Sequence, residues 1–122
     1  MKNEIISIDF DGTIVDFAYP NVGKPKPNVV AVIQRLRSEG HKILIFTCRT
    51  SKKDIDAAKD MLDTYCIPYD GINENVPNAI FPAYPKIHAH LYIDDRQLGG
   101  IPEDWEDIYK IIKAHEQVTE VT

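Results

Sequence analysis

Asp9 and Asp11 stand one residue apart where the apolar run IISI ends, and a second acidic pair, Asp94–Asp95, closes the later run HLYI. Side chains on a strand alternate between faces, so residues i and i+2 point the same way. If extended geometry persists past Ile8, the carboxylates of Asp9 and Asp11 meet at one spot. Like charges a few ångströms apart repel, and the usual compensation is a divalent cation held by oxygen ligands. Gly12 follows directly and permits a tight turn close to whatever is bound. The chemistry expected at such a spot is that of a carboxylate-lined metal site.

The elements that position these residues follow from hydrophobic pattern and punctuation. Residues 5–10 read as a buried strand, nearly continuous in apolar character. The stretch DFAYPNVGKPKPN, 16–28, holds three prolines and a glycine and reads as a loop. Asn28 is placed to cap a helix in which Val29, Val32, Ile33 and Leu36 share one face, with Gly40 ending it. KILIFT, 42–47, is a second strand. SKKD, 51–54, resembles a capping box before a helix through Ile55, Ala58, Leu62 and Tyr65. A short strand is expected over 67–72, a proline-broken loop over 73–86, and a third clear strand over 90–93. The last helix presents Trp105, Ile108, Tyr109 and Ile112 on one side, and residues 116–122 read as a frayed tail after a single domain over 1–115.

Strands alternating with helices indicate an α/β domain with a mostly parallel sheet. Ligands of open α/β sheets bind beyond the carboxyl ends of the strands. Asp9, Asp11, Thr47, Asp94 and Asp95 all sit at or just past such ends, and Lys86 can reach the same edge from the long loop.

Composition narrows the function classes. A length of 122 residues suits one domain with one core, and 43% hydrophobic with 27% charged residues is ordinary for a globular protein. The net charge of −5 argues against a broad nucleic-acid or membrane surface. Cys48 and Cys66 have neither CxxC nor His-paired spacing, so no disulfide framework or zinc site is indicated. The N-terminus does not read as a signal peptide and no apolar run approaches membrane-spanning length, which makes the cytoplasm the expected compartment.

DFDGT, a hydrophobic strand ending in Thr47, then Lys86, then a hydrophobic strand ending in Asp94–Asp95 resembles the four-motif signature of the haloacid dehalogenase superfamily, in the family's order. The resemblance implies a three-layer Rossmann-like domain with a mainly parallel central sheet. The intervals between motifs leave no room for a cap domain, so the chain resembles the capless class with an open site. The implied activity is a Mg²⁺-dependent phosphatase. Asp9 would be the nucleophile that forms an aspartyl-phosphate, and Asp11 the general acid and then base. The metal ligands implied are Asp9, the Asp11 carbonyl and one of Asp94 and Asp95, since adjacent strand-end residues point apart; the likeness to family members ending in an Asp-Asn pair favours Asp95 as the direct ligand. Thr47 would donate to the phosphoryl group, Lys86 would place a point charge on its oxygens, and the N–H groups of Phe10 and Asp11 would complete the cradle. Lys86 lies only eight residues before Asp94, closer than in many members.

Outside the motifs, Arg49 is placed to form a bidentate pair with a second anionic group of the substrate, and Arg96 is a weaker candidate for the same task. Cys48 reads as a small buried residue, His88 and His90 as packing rather than metal ligands, and Asn73 and Asn75 as turn residues. A small phosphorylated metabolite, a sugar phosphate or nucleotide, is the expected substrate. An uncovered site suits a homo-oligomer that supplies its own lid. The competing readings are a catalytically idle phosphate- or partner-binding domain, a polynucleotide or phosphoprotein phosphatase, and a signalling receiver domain. The receiver reading fails because strand one ends in DFD and the KILIFT strand ends in Thr47 where an acceptor aspartate would stand.

Overall fold

The isoleucine-rich run becomes β1 (Ile5–Ile8), and the sheet is built around it. In the computed structural model, which describes residues 3–77 and 86–121 and side chains as far as Glu116, β1 is flanked on both sides by parallel strands. β2 (Lys42–Ile45), β3 (Gly71–Ile72) and β4 (Leu91–Ile93) complete one sheet in the order β3-β2-β1-β4, parallel throughout. Three helices, α1 (Val29–Ser38), α2 (Lys52–Thr64) and α3 (Trp105–Val121), accompany it. None of the helices is long and apolar enough to cross a membrane.

Alternation along the strands sorts the core. Ile6, Ile8, Ile43, Ile45 and Ile93 join Val32, Ile33 and Leu36 of α1, Ala58 and Leu62 of α2, and Trp105, Ile108 and Ile112 of α3 in one buried cluster. The in-register alternates Ser7, Leu44 and Tyr92 belong to the opposite face. There Tyr92 is tied to the chain just before β4: its hydroxyl takes the Ala89 N–H at 3.1 Å and donates to the Ile87 carbonyl.

Local chemistry explains where elements are shorter than expected. β1 stops pairing after Asp9, whose N–H still reaches the Ile93 carbonyl at 2.9 Å; the Phe10 carbonyl then collects the N–H groups of Thr13, Ile14 and Val15, and the chain curls. The expected strand 67–72 shrinks to two residues because Pro68 lacks an N–H and the Asp70 carboxylate takes the Ile43 N–H at 2.8 Å. Ser51 caps α2 as anticipated, accepting from the Asp54 N–H at 3.1 Å. Asn28 holds the N-cap position of α1 without capping it: its φ of 62° is left-handed, and its amide instead donates to Asp104 at 2.9 Å. The stretch expected to fray is helical to Val121, and Glu116 at its start is buried beside His41 at 2.7 Å.

Candidate active site

β1 lies between β2, which follows it in sequence, and β4, so the strand order reverses beside β1. A crevice opens at such a reversal, beyond the carboxyl ends of the strands. Asp9 leaves β1 there, Asp94 and Asp95 leave β4, and Thr47 leaves β2 on the other side. These residues and Asp11 line one cavity of about 280 Å³.

Asp9, Asp94 and Asp95 each bring a carboxylate oxygen within 4.8 Å of the others. Adjacent strand-end residues were expected to point apart; the turn after Ile93 lets both contribute. Burial pushes the Asp9 carboxyl up to about 7; the Thr13 hydroxyl pulls it back, and the charges of Asp94 and Asp95 add to the rise. Three hard oxygen donors whose mutual repulsion already favours a proton on one of them fit a divalent cation such as Mg²⁺. No histidine joins the group among the described residues.

Thr13, the last residue of DFDGT, holds this geometry. Its hydroxyl donates to Asp9 at 2.9 Å and accepts the Asp95 N–H at 3.0 Å, while its carbonyl takes the Trp105 indole N–H at 2.9 Å. α3 is thereby bolted to the turn that carries the site. Gly12 serves the same turn. Its φ is +88°, and a Cβ there would fall within contact distance of the Asp95 carboxylate. Gly12→Ala should therefore swing Asp95 out of the group, weakening Mg²⁺ affinity about tenfold or more and costing about 1–2 kcal/mol for the left-handed backbone. Calorimetric Mg²⁺ titration and urea unfolding measure the two effects.

Asp11 is held apart from the trio by Arg49, which donates Nε–H to Oδ2 and Nη2–H to Oδ1, both at 2.8 Å. The remaining guanidinium donors reach the carbonyls of Pro20, Asn21 and Asp54 at 3.2, 2.9 and 3.4 Å. Guanidinium has five N–H donors, and all are committed, on a residue only 1% exposed. Arg49 thus does not offer a bidentate fork to substrate; it positions Asp11. The bond to Asp11 strengthens its hold on its proton, burial opposing. Asn73 in turn braces the segment carrying Arg49: its side chain accepts the Thr47 N–H at 2.8 Å and donates to the Arg49 carbonyl at 3.1 Å. The Thr47 hydroxyl accepts the Arg49 N–H at 3.1 Å, which leaves its own proton to donate into the cavity.

Lys86 is not brought to the cavity. Its ammonium lies 5.2 Å from the centre of the Tyr92 ring, on the face of the sheet to which Tyr92 belongs. The short run to β4 explains this: bonds from Tyr92 to residues 87 and 89, and from the His88 N–H to Asn75 at 2.8 Å, pin the chain there. Most of the preceding loop, 78–85, lies outside the described residues. Cys48, expected to be buried, is exposed and lines the cavity with Phe17, Tyr19 and Arg96. Thr13, Phe17 and Tyr19 are site residues that carry no expected role from the sequence. The signals were present: a hydroxyl directly after the turn glycine, and two aromatic residues in an otherwise polar, proline-rich loop.

The sequence profile of the haloacid dehalogenase-like hydrolase family matches residues 6–81. The chain belongs to this family. A solved structure of a conserved protein from Bacteroides thetaiotaomicron is 33% identical, with a TM-score of 0.84 over 93% of each chain. No curated protein matches. The haloacid dehalogenase-like profile spans Asp9, Asp11, Thr47 and Arg49 and ends before Lys86, Asp94 and Asp95, so the grouping of the two late aspartates with Asp9 rests on the geometry.

Proposed function

We propose that this haloacid dehalogenase-like hydrolase is a capless, Mg²⁺-dependent phosphomonoesterase that works through an aspartyl-phosphate on Asp9. The observation that carries the reading is the convergence of Asp9, Asp94 and Asp95 at the sheet's reversal point, with Asp11 and the Thr47 hydroxyl on the same cavity. Bound Mg²⁺, held by Asp9, Asp94 and Asp95, would supply the positive charge that lets a phosphate dianion approach three carboxylates. The Asp9 carboxylate attacks phosphorus, the ester P–O bond breaks, and the leaving oxygen takes a proton from Asp11. Asp11 then accepts a proton from water as that water attacks phosphorus, releasing phosphate and restoring Asp9. Arg49 fills two of the roughly four acceptor positions of the Asp11 carboxylate, so positions remain for the travelling proton. Thr47 donates to a phosphoryl oxygen. The N–H groups of Phe10 and Asp11 enter none of the backbone bonds around this turn and serve the same oxygens. With Lys86 on the other face, the side-chain cations lining the cavity are Arg49, whose donors are already committed, and Arg96.

Hydrolysis of p-nitrophenyl phosphate by the purified protein tests this directly. Turnover should require Mg²⁺ and fall to background in EDTA, and metal-independent turnover would overturn the assignment. A second reading, an idle phosphate binder, is favoured by the position of Lys86 and the clamp on Asp11. It predicts Mg²⁺-dependent binding of inorganic phosphate without turnover of any ester.

A further inference from the structure

We propose that Phe17 and Tyr19 form a ring-binding wall, and that the leaving group of the substrate carries an aromatic ring one or two bonds from the ester oxygen. The inference rests on the phosphatase reading of Asp9 and specifies its substrate class.

What remains of the cavity once the phosphoryl end is assigned is not suited to a polyhydroxylated group. Asp9, Asp94, Asp95 and Thr47 face the metal and phosphate, Asp11 is held by Arg49, and every Arg49 donor is committed. The other lining side chains are Phe17, Tyr19, Cys48 and Arg96. Against two aromatic rings and a thiol, a sugar's hydroxyls would find Arg96 as the one strong side-chain donor among the described residues and otherwise keep water as their partner, gaining little from the wall. An aromatic ring would instead cover apolar surface that now faces water: Phe17 is 60% and Tyr19 47% exposed, high values for such residues beside a cavity.

Tyr19 is a fixed wall. Its hydroxyl donates to Asp54 at 3.0 Å. The Arg49 guanidinium carbon lies 5.0 Å from its ring centre and 5.5 Å from that of Phe10, so Phe10, Arg49 and Tyr19 form a series that starts in the core and ends at the cavity. The loop is closed at its base by the Asp16 N–H donating to the Lys24 carbonyl at 2.8 Å, and Gly23 allows that close approach because a Cβ there would collide with the Asp16 backbone. The same arginine that positions Asp11 therefore also holds the wall, and little ordering remains for binding to bring about. Size selects the ring's distance from phosphorus. At about 280 Å³ the cavity lies just below the usual range of ligand pockets, roughly 300 to 1,000 Å³. It takes a phosphoryl group and one adjacent ring, whereas a nucleotide would place a ribose between them.

The test compares phenylphosphonate with methylphosphonate by calorimetry on the full chain in Mg²⁺, and benzyl phosphate with glycerol phosphate and a nucleoside 5′-monophosphate in kcat/KM. Phenylphosphonate should bind about tenfold tighter than methylphosphonate, and Phe17→Ala should erase most of that ratio. Phe17 is outside the core, so the variant folds. Benzyl phosphate should be the best of the three esters. Equal affinity for the two phosphonates, a ratio unchanged in Phe17→Ala, or glycerol phosphate or the nucleotide as the best ester would each overturn the proposal. No ester turnover together with a Phe17-dependent phosphonate ratio would instead sink the phosphatase reading and leave the ring-binding wall standing.

Discussion

Asp9→Asn should abolish hydrolysis, by about 10⁴-fold or more in kcat, and should at the same time make the metal-free protein more stable at pH 8. The two effects have one origin. The proposed attack needs Asp9 as a carboxylate, but burial beside Asp94 and Asp95 disfavours that carboxylate when no cation is bound. The fold raises the Asp9 pKa from 3.8 to about 7, burial being the main cause. A raised pKa means that the folded state holds the proton more tightly than the unfolded chain. Its contribution to stability is therefore fully present below about pH 3.8 and is lost as pH rises through about 7. Melting curves of wild type and variant in EDTA should diverge across that window, with the variant higher at the alkaline end and nearly equal at pH 4. Mg²⁺ should raise the wild-type Tm at pH 8 by mass action and move the variant much less. Parallel pH profiles for the two proteins would contradict the electrostatic account. Full activity in the variant would remove Asp9 from its role.

Arg49→Met should be the most destabilising single change at the site, by about 3–5 kcal/mol in urea unfolding, since it leaves a buried partner uncompensated. Asp11 is only 11% exposed at its side chain, and three backbone carbonyls would lose their donor in the same step. Arg49→Lys should recover little, because an ammonium cannot supply the parallel pair of bonds to both carboxylate oxygens. The double variant Arg49→Met with Asp11→Asn should be more stable than Arg49→Met alone, and that coupling identifies the ion pair rather than lost packing as the source. Arg49→Lys should also lower kcat, because Asp11 loses its orientation toward the leaving oxygen. If Arg49→Lys instead raised KM with kcat unchanged, Arg49 would be a substrate ligand after all and its assignment as the positioning residue would fall.

The chemistry-bearing residues were legible in the chain because their signal is local. Asp9, Asp94 and Asp95 follow short apolar runs, Gly12 follows the first pair, and Ser51 precedes a helix with the spacing of a cap. Strand period and capping geometry operate over a few residues, and a linear reading captures them. The faces of the helices were legible for the same reason: the buried positions of α1 are Val29, Val32, Ile33 and Leu36, the ones its period selects.

Partnerships across the chain were decided only by the tertiary structure. The sequence determined that Asp11, Arg49 and Lys86 were charged, the first two just past strand ends and Lys86 in the loop before β4. It could not determine that Asp11 and Arg49, 38 residues apart, would satisfy each other, because both oxygens and all five donors had to be placed before any was seen to be spent. Nor could it settle whether Lys86 would reach over the sheet edge or lie against Tyr92, since that depends on which face the chain before β4 covers. The pairing of β4 with β1 is of the same kind. It brings Asp94 and Asp95 beside Asp9, and it rests on strand order. The residue types that can do the chemistry are a property of the sequence. Which of them remain free to do it depends on which hydrogen bonds and charges are already satisfied, and those bonds exist only once the sheet has closed.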